Sequence, residues 1–436
     1  MGPERRRILM YSHDTFGLGH LTRTLRIADA IQHRHQNTSI LVLSGLPVAP
    51  YLPLPPRTDL LKIPSVLKFG ADLYRSRDLD IDFKQVRAMR RGVIRSTAET
   101  FQPHVFLVDN VPQGMKNEIL PTLEYLNGKA HVVLNLRDIL DDGEVIRRSW
   151  EKGGVYETLE EHYGAIHVFG DESIYDAVKE YDLPVATTRQ LGYVTPGSRR
   201  RGPHHLSDPP RVLVTAGGGG DGLPFLEATL GGVVQIAGQV GFDVELVTGP
   251  LMAESARRIL ASQAKAAGAR ITEFARDLPT RIERSDLVVA MAGYNTCCEI
   301  LTCANSALLY PRSVPRVEQK LRAEAFGRRG LARSLSTGAP DPTEIAEAIR
   351  EMIEQSDCLD EGSLPRLDGQ HRAAKALDPW LGDPRQLRAR DARSSVGGDA
   401  SLFLERRRTP VGIEKAVAAV RSHFDISTFW PGAVVS

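Results

Sequence analysis

Two stretches of this 436-residue chain combine residue types that could do chemistry. One is Ser12-His13-Asp14-Thr15-Phe16-Gly17-Leu18-Gly19-His20, and the other is Ala216-Gly217-Gly218-Gly219-Gly220-Asp221-Gly222. Each follows a short apolar run and precedes a helix-like pattern. A turn of this kind aims backbone N–H groups and the positive end of a helix at one point, which suits a diphosphate. Glycine lets the backbone approach such a ligand with no Cβ in the way. The first stretch also holds candidate general bases, namely His13, Asp14 and His20, and Asp109 closes a further apolar run. A neutral imidazole at a helix start can take a proton from a hydroxyl. Gly217, Gly219 and Gly222 also spell G-x-G-x-x-G, the spacing of a dinucleotide turn. The next strand candidate, Glu245-Leu246-Val247-Thr248-Gly249, ends without the acidic residue that a ribose would want. A tight turn that binds nothing is the plainer alternative, and its repetition in both halves weighs against it.

These loops need elements to hold them. Short β-branched runs at Ile8–Tyr11, Ser39–Leu43, Val105–Val108, His131–Asn135 and Ala165–Phe169 alternate with helical patterns. The first such helix has apolar residues at 21, 25, 28 and 31. The alternation restarts at Arg211–Thr215 and continues through Asp243–Val247, Arg270–Phe274, Asp286–Ala290 and Ala307–Tyr310. Strands alternating with helices read as α/β, a parallel sheet wrapped in helices. The polar stretch 198–210, with three arginines and three prolines, reads as a linker or else a long surface loop. The expected organisation is two doubly wound, Rossmann-like domains facing a cleft, over 1–197 and 211–382. An arginine-rich tail with one helix follows over 383–436. Its arginines could attract anionic lipid at a membrane surface or simply be solvated.

Composition narrows the function classes. Lys+Arg number 55 against 54 Asp+Glu, so no broad basic face is available to coat nucleic acid. Four cysteines with no C-x-x-C pair argue against a disulfide framework or a zinc site, and for a reducing, cytoplasmic setting. Nowhere do 18 apolar residues run together. The Asp-x-Asp tripeptides, Asp78-Leu79-Asp80 and the overlapping Asp80-Ile81-Asp82, stand apart from the glycine loops. No metal or cofactor is therefore expected.

The stretch Thr272-Glu273-Phe274, then Asp286 before the run Leu287–Ala290, then Gly293-Tyr294-Asn295-Thr296-Cys297-Cys298-Glu299 resembles the donor half of glycosyltransferase family 28. Gln319, Ala323 and Gly330 look like the family's following segment, and Gly17-Leu18-Gly19-His20 like its N-terminal loop. Residues 11–31, 108–114 and 136–142 are similar to a group of bacterial glycosyltransferase-like proteins; the likeness covers about residues 6–372. The resemblance implies a GT-B fold and transfer of a sugar from a nucleotide donor, most simply a UDP-sugar such as UDP-GlcNAc. The acceptor would be a hydroxyl, on a lipid-linked saccharide, a polysaccharide end or another molecule, with polysaccharide biosynthesis as the setting.

By the same resemblance, Phe274 and Ala275 would meet the base, and Glu299 the ribose hydroxyls. Gly217, Gly218, Gly219 and Gly220, with Gly293, Asn295 and Thr296, would meet the diphosphate, and Glu318 and Gln319 the sugar. His13, Gly17, Gly19, Arg137 and Asp138 would shape the acceptor side. The base would be His20, with Asp109 and Asp14 as competitors, in an inverting, metal-independent transfer. Met291 and Ala292 stand where relatives often carry an arginine and a small polar residue. A non-hydrolysing UDP-sugar epimerase and a silent nucleotide-binding module are the competing readings.

Overall fold

A computed structural model describes residues 5–13, 18–68, 73–197, 206–356 and 358–382. Asp14, Gly17, most of the 198–210 linker and the 383–436 tail lie outside the described residues.

The first domain holds β1 (Arg6–Tyr11), β2 (Thr38–Ser44), β3 (Thr58–Lys62), the short antiparallel pair β4 (Val66–Lys68) and β5 (Tyr74–Ser76), β6 (Val105–Asp109), β7 (His131–Arg137), β8 (Ala165–Phe169) and β9 (Thr188–Gln190). Seven of these form a parallel sheet in the order β3-β2-β1-β6-β7-β8-β9. The second domain holds β10 (Arg211–Thr215), β11 (Asp243–Val247), β12 (Arg270–Thr272), β13 (Leu287–Met291), β14 (Ala307–Tyr310) and β15 (Arg333–Ser334), in the order β12-β11-β10-β13-β14-β15. Helices cover both faces, so the central strands are nearly continuous apolar runs; Ile8, Leu9, Met10 and Tyr11 are all buried. In the two large sheets, the strands that sequence reading overlooks, β3, β9 and β15, are polar or only two to five residues long. All three border a sheet, where hydrophobic periodicity is weakest.

In each sheet the order reverses beside its first strand, between β1 and β6 and between β10 and β13. Loops leaving adjacent strands in opposite directions open a crevice at the carboxyl edge, where ligands of such sheets bind. Both glycine stretches leave the sheets at these points. Asp82, away from the crevice, caps the Phe83–Phe101 helix in a reciprocal box with Gln85.

Residues 369–381, contiguous with the second domain in sequence, pack on the first. The Gly369–Ala376 helix lies along the Gly19–Arg34 helix. Arg34 grips Asp378 at 2.5 and 2.6 Å, His35 meets the Ala374 carbonyl, and Trp380 stacks on His131. Among the described residues no helix is long and apolar enough to cross a membrane.

Candidate active site between the two sheets

Asp109 is the last residue of β6 and lies almost wholly buried at the switch point. His20, the second residue of the Gly19–Arg34 helix, brings Nδ1 to 2.6 Å from Asp109 Oδ2. One turn on, Arg23 donates from Nη2 to Asp109 Oδ1 at 2.5 Å. Two residues that the sequence offers as alternative bases are thus one unit. With Nδ1–H donated to the carboxylate, His20 keeps Nε2 as its proton acceptor, and its side chain retains 18% exposure. Burial alone would raise the Asp109 carboxyl, but the Arg23 guanidinium and His20 hold it far below the usual carboxylate range. Asp109 therefore stays an anion that orients the imidazole. His13 stands edge-on to His20 with ring centres 5.8 Å apart. Burial and the neighbouring His20 push its imidazole down to about 3.

The donor-side loops converge as their sequence requires. Gly219 has φ +85°, and a Cβ there would come within 2.2 Å of the Thr248 carbonyl oxygen. A Cβ on Gly217 would meet Thr296 Oγ1 at 3.0 Å, which sets the glycine turn against the start of the Tyr294–Cys303 helix. Gly293 is the N-cap of that helix, with no side-chain cap, so its first N–H groups face the crevice without a capping partner. Across the cleft, a Cβ on Gly19 would strike Asn295 Nδ2 at 2.8 Å. Phe274, 37% exposed just beyond β12, offers a ring face for a base, with Ala275 buried behind it. Arg312 ties the rim together: it pairs with Asp221 at 3.0 Å and Glu318 at 3.3 Å, and the Gln319 carbonyl oxygen turns toward it.

Two expected residues have other partners, and a third has no ion-pair partner among the described residues. Asp138, expected on the acceptor side, is 1% exposed and clasped by Arg322 from the second domain at 2.7 and 2.8 Å. Arg322 is itself fully buried, and it also donates to the Ala292 carbonyl at 2.7 Å. Asp138 is thus a tie between the domains, because a carboxylate so enclosed cannot meet an acceptor. Glu299 does not close a capping box; it accepts from Arg26 of the first domain at 3.2 Å. Burial raises its carboxyl while Arg26 pulls it back. Arg137, at the end of β7, has no ion-pair partner among the described residues, and its Nε is sealed without a hydrogen bond.

Sequence reading passed over Arg23, Arg26, Arg322 and Tyr294. Tyr294 carries Arg23 over its ring at 5.3 Å and donates from its hydroxyl to the Phe169 carbonyl at 2.9 Å. The one local signal was the i, i+3 spacing of His20 and Arg23, which puts both on one helix face. The crevice also gathers buried polar atoms with no partner: His13 Nδ1, Asn110 Oδ1, Asn135 Oδ1, Asn295 Oδ1 and Glu318 Oε2. These are five of the 18 such side-chain atoms among the described residues, and a polar ligand received here would satisfy them.

Two Rossmann-like domains with their switch points facing across one crevice define the GT-B architecture. Within it, residues 212–375 match the glycosyltransferase family 28 C-terminal domain. Over 91 residues it is 28% identical to the UDP-N-acetylglucosamine–N-acetylmuramyl-(pentapeptide) pyrophosphoryl-undecaprenol N-acetylglucosamine transferase of Natranaerobius thermophilus. That stretch is 21% of this chain and 25% of the relative, so the match spans a quarter of the relative's length. The kitacinnamycin glycotransferase superposes with a TM-score of 0.55 at 15% identity, over 90% of this chain and 99% of that one. Acinetobacter baumannii MurG does so with a TM-score of 0.53 at 12% identity, over 90% and 100%. At these identities the structural likeness concerns the fold.

Proposed function

We propose that this chain is an inverting, metal-independent glycosyltransferase that moves a sugar from a UDP-sugar, UDP-GlcNAc or a close relative, to a hydroxyl acceptor. The observation that carries the reading is the His20–Asp109 pair standing across the cleft from the glycine turn and the uncapped helix start. In the proposed step the acceptor oxygen attacks the anomeric carbon while its proton passes to His20 Nε2. The bond from that carbon to the diphosphate oxygen breaks, and UDP leaves from the opposite face, which inverts the centre. Asp109 stabilises the imidazolium electrostatically and, held anionic by Arg23, does not take the proton. The departing diphosphate would be met by main-chain N–H groups at 217–220 and at the Tyr294 helix start. Phe274 would pack on the uracil and Glu318, with a free Oε2, would accept from a sugar hydroxyl.

A thermal-shift screen of UDP-, GDP-, TDP- and ADP-sugars tests the donor assignment, with the largest stabilisation expected from a UDP-sugar. A clear preference for another nucleotide refutes it. Incubation with the UDP-sugar alone separates transfer from epimerisation: conversion of the sugar at C2 would identify an epimerase, and slow release of UDP and free sugar is the result expected here.

A further inference from the structure

The arginines around the crevice are committed to partners, with one exception. Arg23 is held by Asp109, Arg26 by Glu299, Arg312 by Asp221 and Glu318, and Arg322 by Asp138. Arg137 alone among these five has no carboxylate within 4.0 Å in the described structure, and its Nε is closed off from solvent with no acceptor. Arg137 is half-buried; a guanidinium partly withdrawn from water with no anion beside it is costly, and such a group is retained where an anion comes to it.

Its surroundings say where that anion would lie. Arg137 is the last residue of β7, and its partner across the ladder is Phe169. The Phe169 carbonyl accepts the hydroxyl of Tyr294, the first residue of the Tyr294–Cys303 helix, at 2.9 Å. The residue after Arg137, Asp138, grips Arg322, which donates to the carbonyl of Ala292, just before that helix's N-cap. The strand end carrying Arg137 is thereby clamped, on two sides, against the amino end of the helix. Free N–H groups and the positive helix end favour an anion there. Glu318, whose Oε2 is buried without a partner, acts electrostatically on Arg137 as an opposing charge, and it needs a hydroxyl or N–H donor. Burial pushes the Arg137 guanidinium down to about 10, with Glu318 working the other way. An unpaired cation, a helix start and an orphaned carboxylate oxygen match a phosphate that carries a sugar.

We propose that Arg137, contributed by the first domain, binds the diphosphate of the nucleotide donor across the cleft, so that both domains hold the leaving group. The proposal rests on the donor reading above and adds a residue from the opposite domain to it. It makes Arg137 a donor ligand, whereas the sequence alone put it on the acceptor side. Charge on the departing diphosphate would then be met by one guanidinium in addition to main-chain N–H groups.

Equilibrium binding of UDP and of uridine to the full chain, the Arg137→Gln variant and the Arg137→Lys variant tests this without any acceptor. Arg137→Gln is expected to weaken UDP by roughly 10- to 100-fold, the range of one charge-assisted hydrogen bond. Uridine, which has no phosphate, should bind within about twofold of the unaltered protein, and Arg137→Lys should recover part of the UDP affinity. Unchanged uridine binding also reports that the variant is folded. Equal losses for UDP and uridine, or full UDP affinity in Arg137→Gln, overturn the assignment; the second result would give Arg137 to an anionic acceptor group. If the unaltered protein binds no UDP, the donor reading fails first and this proposal falls with it.

Discussion

Replacing Asp138 with asparagine removes one charge from the most enclosed ion pair between the domains. Arg322 is fully buried and Asp138 1% exposed, and two parallel hydrogen bonds of 2.7 and 2.8 Å join them. The Tyr193 hydroxyl adds a third bond to the carboxylate at 3.3 Å. What Asp138→Asn costs is less the worth of the pair than the charge it leaves behind. Arg322 keeps its bond to the Ala292 carbonyl but loses its anion in a place water does not reach. Breaking a buried pair in this way costs about 3–5 kcal/mol, or roughly two to four powers of ten in the unfolding equilibrium. Removing both charges together, as Asp138→Leu with Arg322→Met, should restore most of that loss, because no ion is then stranded. The assay is urea unfolding of the two variants beside the unaltered protein, followed by circular dichroism. A loss below about 1 kcal/mol for Asp138→Asn refutes the reasoning. Such a value would mean that Arg322 finds solvent and that the domains are not sealed around this pair.

Three other outcomes follow from the same geometry. His20→Ala should lower the transfer rate by about 10²- to 10⁴-fold while leaving the donor KM within a few-fold, as read by steady-state kinetics; a drop under tenfold would exclude His20 as the base. Buried His167 is pushed down to about 4, by burial first and then by Arg189. Between pH 4 and 6.5 the unfolded chain therefore binds the extra proton, so stability is full above 6.5 and is lost as pH falls, by up to about 1.4 kcal/mol per unit. His167→Phe should flatten that slope in unfolding measured at pH 5 and pH 7, and an unchanged slope would count against the assignment. Gly219→Ala, forced to φ +85° with its Cβ against the Thr248 carbonyl, should cost about 2 kcal/mol or more and weaken UDP binding; thermal denaturation at the wild-type midpoint would show the turn to be more tolerant than its geometry implies.

Much of the fold is legible in the chain because its signals are local. Ile8–Tyr11 and Leu287–Met291 are apolar runs long enough to read as buried strands, and the glycine turns after β1 and β10 announce the two switch points. Two of the border strands could not be read, since Thr188–Gln190 and Arg333–Ser334 have neither the length nor the period to reveal themselves. The passage of residues 369–381 to the first domain was hidden for another reason. Amphipathic helices declare an apolar face but not the surface it will cover.

The candidate site divides along the same line. Residue types and close spacings single out His20, Asp109 and the glycines, because a turn, a helix start and a strand end are set by a few neighbouring residues; Phe274 and Gly293 to Glu299 are singled out by the resemblance to glycosyltransferase family 28. Which of them act together was decided by tertiary structure. His20 and Asp109 are 89 residues apart, and Asp138 and Arg322 are 184 apart, so neither pairing leaves any trace in local pattern. Burial then sorts roles that sequence leaves equal: adjacent Arg137 and Asp138 look like one acidic–basic couple in the chain. In the fold Asp138 is spent on Arg322, and Arg137 is left with an unsatisfied charge. Only folding fixes which charges lose their water and which of those find a partner, and that balance separates a tie between domains from a group free to bind.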